Sequence, residues 1–205
     1  MRKTKKLIAY VLSVCLILTL CPTIALAADQ VAGEAGVRIM EDSYNSETNT
    51  LTVKVEFKTG SEDASGIKTV GTLVSYDSSK LTLIVQDYDT GSAKEITANE
   101  TKVDLTTTST AADVMLKARG NSLYDLNNAY LFGKANRAGL FIGLGSTKEP
   151  ANEQKTADWI TLYKLTFKVS GNPSEVLNSD SIRIADPNRD DDVVKGAYSA
   201  NDQYT

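Results

Sequence analysis

The chain has 205 residues with 13 Gly, 4 Pro and 41% hydrophobic residues, a composition that excludes collagen-like, coiled-coil and strongly disordered proteins. It contains no His, and its 22 basic and 26 acidic residues give a net charge of −4. Both cysteines, Cys15 and Cys21, lie near the N-terminus. We expect one domain of ordinary size, long enough to bury a substantial core.

The N-terminus is typical of a secretory signal peptide. Residues 7–20 form an apolar run that is shorter than a membrane-spanning helix requires. Ala25-Leu26-Ala27 is a small-x-small cleavage site. The sequence therefore predicts a signal peptide over residues 1–27 and a mature chain that begins at Ala28. The basic residues that precede the apolar run are Arg2, Lys3, Lys5 and Lys6.

The lysine-rich signal indicates a bacterial source, so we expect the mature protein to be secreted and extracellular. Lipoprotein processing at Cys21 is the alternative pathway. That pathway needs a small residue before the cysteine, where this sequence has Leu20.

Cleavage changes the charge and the cysteine content of the protein. Removing the four basic residues of the signal from 22 leaves 18 against 26 acidic residues, a net charge of −8. Such a balance argues against nucleic acid as a partner, because nucleic-acid binding needs a basic surface. It also argues against anionic membrane surfaces, and we expect no membrane insertion after cleavage. Both cysteines leave with the signal, so no disulfide can stabilise the mature domain.

Short runs in which apolar and polar residues alternate recur along the mature chain. This period of two predicts strands with one buried face. In chain order, the predicted strands are residues 51–57, 70–76, 81–85, 114–116, 138–144, 159–169, 182–184 and 193–194. Turn residues such as Asp77-Ser78-Ser79 separate the strands. Only residues 122–135 and 152–159 could hold a helical turn.

Many short strands without intervening helices predict an all-β fold. We expect an antiparallel β-sandwich or a jelly roll. The sandwich is predicted to span residues 36–205, after a short leader over residues 28–35.

The composition argues against an enzyme. The mature chain has no His and no Cys, so it cannot form a Ser-His-Asp or Cys-His catalytic site. A pair of carboxylates could still act on a sugar, but such enzymes need a cleft lined by aromatic rings. The only Trp is Trp159, and its neighbours are typical of a core. We therefore expect a non-catalytic protein without a cofactor.

One acidic segment is a candidate calcium site. Its candidate ligands are Asp186, Asn188, Asp190 and Asp192. Oxygen ligands at positions 1, 3 and 5 begin an EF-hand-type loop. Position 6 should be Gly and is Asp191, and position 12 should be a carboxylate and is Ala197. The alternatives are an irregular calcium site and a solvated acidic turn.

Several tyrosines leave sugar binding open as an alternative. A carbohydrate-binding module stacks sugar rings on exposed, coplanar aromatic side chains. The tyrosines in or near predicted loops are Tyr44, Tyr88, Tyr124 and Tyr130. The other interpretation is that each ring is buried while its hydroxyl stays wet, which is common for Tyr.

Three segments resemble a known family. Tyr76-Asp77-Ser78-Ser79-Lys80-Leu81 is similar to a motif of cohesin domains, in which a strand ends in Tyr-Asp and Leu opens the next strand after a polar turn. Residues 159–169 resemble the late cohesin strand that ends Thr-Phe-x-Val, and residues 51–57 resemble an early strand of the same fold. The resemblance covers residues 36–200.

The cohesin resemblance implies a nine-stranded jelly roll that binds dockerin modules through one flat sheet face, with no cofactor and no catalysis. Its contact residues follow no motif that can be matched to this chain. A binding face should carry mixed polar and apolar side chains on the solvent side of the sheet. The side chains expected to point outward and contact a partner are Thr72, Thr82, Ile84, Lys164, Thr166 and Lys168.

The sequence thus predicts a non-catalytic extracellular module that binds a dockerin-like partner in a cellulosome-like or cell-surface assembly. The alternatives are a carbohydrate-binding module that contacts polysaccharide and a structural or adhesion domain of the cell surface. Exposed coplanar aromatic rings would favour sugar binding. A flat sheet face that is poor in aromatic residues would favour protein binding.

Overall fold

The computed structural model describes residues 36–58, 69–86, 92–105, 125–145, 158–173, 178, 180–186, 188 and 190–198. The predicted signal peptide, the leader and the predicted strand at 114–116 lie outside these residues. The described strands are β1 (Gly36–Asn45), β2 (Thr50–Lys58), β3 (Thr69–Asp77), β4 (Leu81–Gln86), β5 (Ala93–Ile96), β6 (Val103–Asp104), β7 (Asp125–Lys134), β8 (Arg137–Gly145), β9 (Ile160–Val169) and β10 (Ile182–Ile184). The described helix is α1 (Asp191–Tyr198).

The strands form two five-stranded antiparallel sheets. The first sheet has the order β1-β2-β9-β4-β5, and the second has the order β10-β3-β8-β7-β6. The expected all-β sandwich is confirmed, with ten strands in the described residues where about nine were expected. The jelly-roll topology stays a prediction.

The core lies between the sheets and is built from the alternating positions that the sequence predicts. Every second residue of β2 and of the second half of β9 is buried, as period-two strands require. Tyr76 of β3 packs against Phe167 of β9, with ring centroids 5.0 Å apart and planes tilted by 59°. The buried residues of these strands that face the core are Leu51, Val53, Val55, Phe57, Val70, Val74, Tyr76, Tyr163, Leu165, Phe167 and Val169.

The turn at Asp77-Ser78-Ser79 has the local structure that its residues predict. The Asp77 carboxylate accepts hydrogen bonds from the backbone N–H of Ser79, at 3.0 Å, and from the Ser79 hydroxyl, at 2.5 Å. These bonds close an Asx turn between β3 and β4. Tyr76 and Leu81, on either side of the turn, are both buried.

Two predictions of secondary structure are wrong. Residues 125–134, where a helical turn was considered, form strand β7, which joins β8 through a tight turn with φ of 53° at Ala135. Residues 193–194 were predicted as a strand and lie in α1. Two adjacent valines are compatible with the period of a strand and with that of a helix. In the structure, the Asp190 carbonyl accepts hydrogen bonds from the N–H groups of Val193 and Val194, and these bonds form the first turn of α1.

Candidate binding faces

Five of the six predicted contact residues lie together on the outer face of the first sheet. Thr82 and Ile84 of β4 stand opposite Lys168 and Thr166 of β9 in the antiparallel register. Each of these side chains, and Lys164, is half-buried on the side away from the core. The outward alternation of β4 and β9 therefore places them side by side.

The same face continues onto β2. Thr50, Thr52 and Lys54 stand opposite Lys168, Thr166 and Lys164. The hydroxyls of Thr52 and Thr166 are 3.2 Å apart, a bond that links the two strands.

The lysines of this face have fixed partners at the margin of the sheet. Lys164 Nζ lies 2.9 Å from the Asp42 carboxylate, and Lys168 Nζ donates to the Thr48 carbonyl at 2.8 Å. Asp42 lies at a bulge in β1, where the register with β2 shifts. These contacts hold the ammonium groups of Lys164 and Lys168 over the outer face of the sheet.

Thr72 requires a correction, because it points into the sandwich and not outward. It shares one face of β3 with the buried Val70 and Val74, and only 4% of its surface is exposed. Its hydroxyl lies 2.5 Å from that of Tyr163 in the opposite sheet and 3.4 Å from the Ile142 carbonyl. These bonds satisfy its polar group inside the core, so Thr72 cannot contact a partner.

A cluster that the sequence pattern does not indicate lies at one end of the same outer face. Glu56 of β2 is buried, and its carboxylate accepts from Arg38 of β1 at 2.7 Å and meets Lys54 Nζ at 3.0 Å. Burial raises the pKa of Glu56, but the bonds and charges of Lys54 and Arg38 outweigh it, and the pKa lies below its ordinary value. Trp159 joins this cluster, with the Arg38 guanidinium carbon 4.2 Å from its ring centroid. The strand register brings these residues together, and spacing along the chain gives no signal for it.

The outer face of the second sheet differs because α1 covers part of it. Val193 of α1 lies so close to Gly139 of β8 that a β-carbon there would come within 3.2 Å of it, and Gly196 lies directly against the Phe132 ring. Beside the helix, the rings of Tyr130 and Phe141 lie 6.4 Å apart and nearly parallel.

This ring pair is the nearest approach to a sugar-stacking platform in the described residues, but its faces are not open. Phe141 is only 9% exposed, and Lys102 Nζ lies 4.4 Å from the Tyr130 ring centroid. Tyr44 packs against the core and bonds the Asn49 side chain. The other two candidates, Tyr88 and Tyr124, lie outside the described residues.

The acidic segment is organised around Asp190. Its carboxylate is fully buried, and both of its oxygens accept hydrogen bonds from groups of the protein. Oδ1 accepts from Arg183 Nη2 at 2.7 Å and from the Ser75 hydroxyl at 2.9 Å. Oδ2 accepts from the backbone N–H of Asp186 at 3.0 Å. Arg137 Nε lies 3.7 Å away as a second cation. The structure therefore gives Asp190 the role of an ion-pair partner, because arginines stand where a cation would bind.

The other candidate calcium ligands do not converge on one point. Asp186 accepts from the backbone and side-chain amide of Asn188, at 2.9 Å and 3.1 Å. The side chain of Asp192 is 70% exposed and lies 3.7 Å from Lys134 Nζ. In the part of the chain that the structure describes, no group of three or more His, Cys, Asp or Glu could hold a metal ion. The geometry favours an acidic turn.

None of the described helices is long and apolar enough to cross a membrane. No protein-family model, no curated protein and no solved structure matches the chain.

Proposed function

We propose that this chain is a secreted, non-catalytic, protein-binding module of cohesin-like type, with a dockerin-type module as its partner. It would serve in a cellulosome-like or cell-surface assembly. The resemblance at Tyr76–Leu81 and the β-sandwich support the kind of module. The choice of face rests on the geometry of the two sheets.

The observation that carries this proposal is the outer face of the first sheet. Its strands β2, β9 and β4 present a continuous surface of threonine, lysine and isoleucine side chains, and no described helix lies on it. The other outer face is partly occupied by α1. A surface of mixed polar and apolar groups, fixed in register on a rigid sheet, suits protein recognition.

Binding of this kind would involve no catalytic step and no cofactor. Thr82, Ile84 and Thr166 would supply the central contact area, while Lys164 and Lys168 would form its charged margin. Side chains of this kind add complementary contact area that excludes water from an interface, and charged side chains tune the association rate and specificity.

The test is a capture experiment with the mature chain, residues 28–205, on a column. Secreted proteins of the source organism are applied in calcium, because the family resemblance implies that dockerins bind calcium themselves. Bound proteins are eluted with EDTA and identified by mass spectrometry. A matched column carries the variant Thr82→Tyr/Thr166→Tyr, in which two large uncharged rings block the centre of the face.

We expect dockerin-bearing proteins to be enriched on the wild-type column and depleted on the variant column. An eluate equal to that of a blank column would overturn the dockerin proposal. Equal enrichment on both protein columns would overturn the assignment of the face. Release by soluble polysaccharide in place of EDTA would favour the carbohydrate-binding alternative.

A further inference from the structure

The single tryptophan of the chain stands at one end of the proposed binding face. Trp159 directly precedes β9, beside Lys58 at the end of β2, and it is half-buried. The Arg38 guanidinium carbon lies 4.2 Å from the ring centroid, and Lys58 Nζ lies 5.2 Å from it. Both distances are those of cation–π contacts. We call Trp159, Arg38, Lys58, Glu56 and Lys54 the tryptophan corner.

Glu56 fixes the geometry of this corner. Its Oε2 accepts from both Nε and Nη2 of Arg38 at 2.7 Å, and its Oε1 lies 3.0 Å from Lys54 Nζ. Because Glu56 is only 4% exposed and its carboxylate binds Arg38 through two nitrogens, it holds Arg38 in one orientation against the Trp159 ring. A side chain that is ordered before binding loses less entropy when a partner arrives.

The charges of the corner are opposite in sign to those of the protein as a whole. The outward charged positions of β2 and β9 are Lys54, Glu56, Lys58, Lys164 and Lys168, four lysines against one glutamate. Arg38 adds a further positive charge from β1. Asp42 and Asp158 lie at the margin of this surface. The mature chain carries 18 basic and 26 acidic residues, so this surface is a basic region on an acidic domain.

We propose that the tryptophan corner is the principal anchor for an acidic segment of the protein partner. Carboxylates of that segment pair with Lys58 and Arg38, and an apolar side chain of the segment packs on the exposed part of Trp159. This inference rests on the proposed function, because it names the partner chemistry of the same face. Trp and Arg are the residues most often found at the energetic centre of protein interfaces. A basic surface on an acidic domain also excludes partners without complementary charge.

Tryptophan fluorescence tests this proposal, because Trp159 is the only tryptophan and its emission reports on the corner alone. The probe is a decaglutamate peptide, titrated into the mature chain at low and at high salt. We expect a saturable change in emission that weakens as the salt concentration rises. The variant Lys58→Glu should weaken binding about fivefold or more. The matched control is Lys94→Glu, an exposed lysine of β5 at the far edge of the same sheet, which should change binding less than about twofold.

An unchanged emission across the titration would overturn the proposal, and so would equal losses in the two lysine variants. The outcome is independent of the capture experiment. If decaglutamate binds at the corner and dockerin-bearing proteins are not captured, the dockerin partner is wrong and the acidic-segment site stands. If dockerin-bearing proteins are captured and Trp159 does not respond to decaglutamate, the binding module stands and the corner is not its anchor.

Discussion

The hydroxyl groups of Thr72 and Tyr163 lie 2.5 Å apart and join the two sheets inside the core. Thr72 belongs to β3 of the second sheet and Tyr163 to β9 of the first. Burial raises the pKa of Tyr163, while the hydrogen bond between its hydroxyl and that of Thr72 acts in the opposite direction. The bond satisfies two buried polar groups, and it links β3 of one sheet to β9 of the other.

Thr72→Val should destabilise the fold, because it leaves the buried Tyr163 hydroxyl without this partner. The expected loss is about 1–3 kcal/mol in the free energy of unfolding. The double variant Thr72→Val/Tyr163→Phe should lose less than the sum of the two single variants, because it removes both polar groups. Urea denaturation monitored by circular dichroism measures all three. Additive losses would contradict the role assigned to this bond.

Asp190 should make the stability of the fold depend on acid. Burial raises its pKa, but the bonds from the Asp186 backbone, Arg183 and Ser75 outweigh burial and place the pKa below its ordinary value. Its contribution is therefore complete above the pKa of an unfolded aspartate, about 3.9, and is lost as the pH falls through the lowered folded value. We expect Asp190→Asn to cost about 3 kcal/mol at neutral pH, because two arginines lose their buried partner.

The matched control for Asp190→Asn is Asp192→Asn, two residues along the chain. The Asp192 side chain is 70% exposed and its contact with Lys134 is long, so the change should cost less than about 0.5 kcal/mol. Unfolding curves at several pH values between 3 and 7 compare the three proteins. Equal losses of stability in the two variants would contradict the buried ion pair of Asp190, and so would an Asp190→Asn protein that keeps the acid dependence of the wild type.

Gly196 should be required for α1 to pack on the second sheet. A β-carbon at this position would lie 2.2 Å from the Phe132 ring, so Gly196→Ala forces the helix or the ring to move. We expect a loss of about 1–3 kcal/mol and greater amide exchange in α1. Gly71→Ala is the control, because its β-carbon would lie 3.4 Å from Phe141, an ordinary contact. Unchanged amide exchange in the Gly196 variant would contradict the close packing of α1.

Calcium should leave the thermal midpoint of the mature chain unchanged. The Asp190 oxygens already accept bonds from Arg183, Ser75 and the Asp186 backbone, and a bound cation would lie beside two arginines. Ligands that bind only the folded state raise the midpoint in proportion to their affinity and concentration. Differential scanning calorimetry with calcium or EDTA checks this. A midpoint that rises with calcium and falls with EDTA would restore the calcium site.

Much of the sandwich could be predicted because alternation along a strand is local information. The buried positions of β2 and β9 follow from a period of two, and Asp77 closes its turn with a neighbour two residues away. Thr72 shows how residue type can mislead: its position between Val70 and Val74 indicates the core, while its hydroxyl suggests solvent. Its partner Tyr163 lies 91 residues away, on the other sheet.

The features that the sequence did not predict depend on tertiary register. Arg38 meets Glu56 because β1 and β2 are aligned in one register, and Trp159 joins them because β9 lies on the other side of β2. Strand β7 carries apolar side chains on both faces, with Leu131 in the core and Phe132 under α1, so its period-two signal is weak. Such placements are set by the pairing of distant strands, which one sequence does not record.

The most direct test of the proposed binding face compares two tyrosine variants in their affinity for a dockerin module cloned from the source organism. Thr166→Tyr places a large uncharged ring at the centre of the first sheet's outer face, and Gly71→Tyr places one on the exposed outer side of the second sheet, where a β-carbon makes an ordinary contact with Phe141. Isothermal titration calorimetry should show a loss of about tenfold or more for Thr166→Tyr and less than about twofold for Gly71→Tyr. Full affinity in Thr166→Tyr, with the loss in Gly71→Tyr instead, would contradict the proposed face and move the binding site to the second sheet.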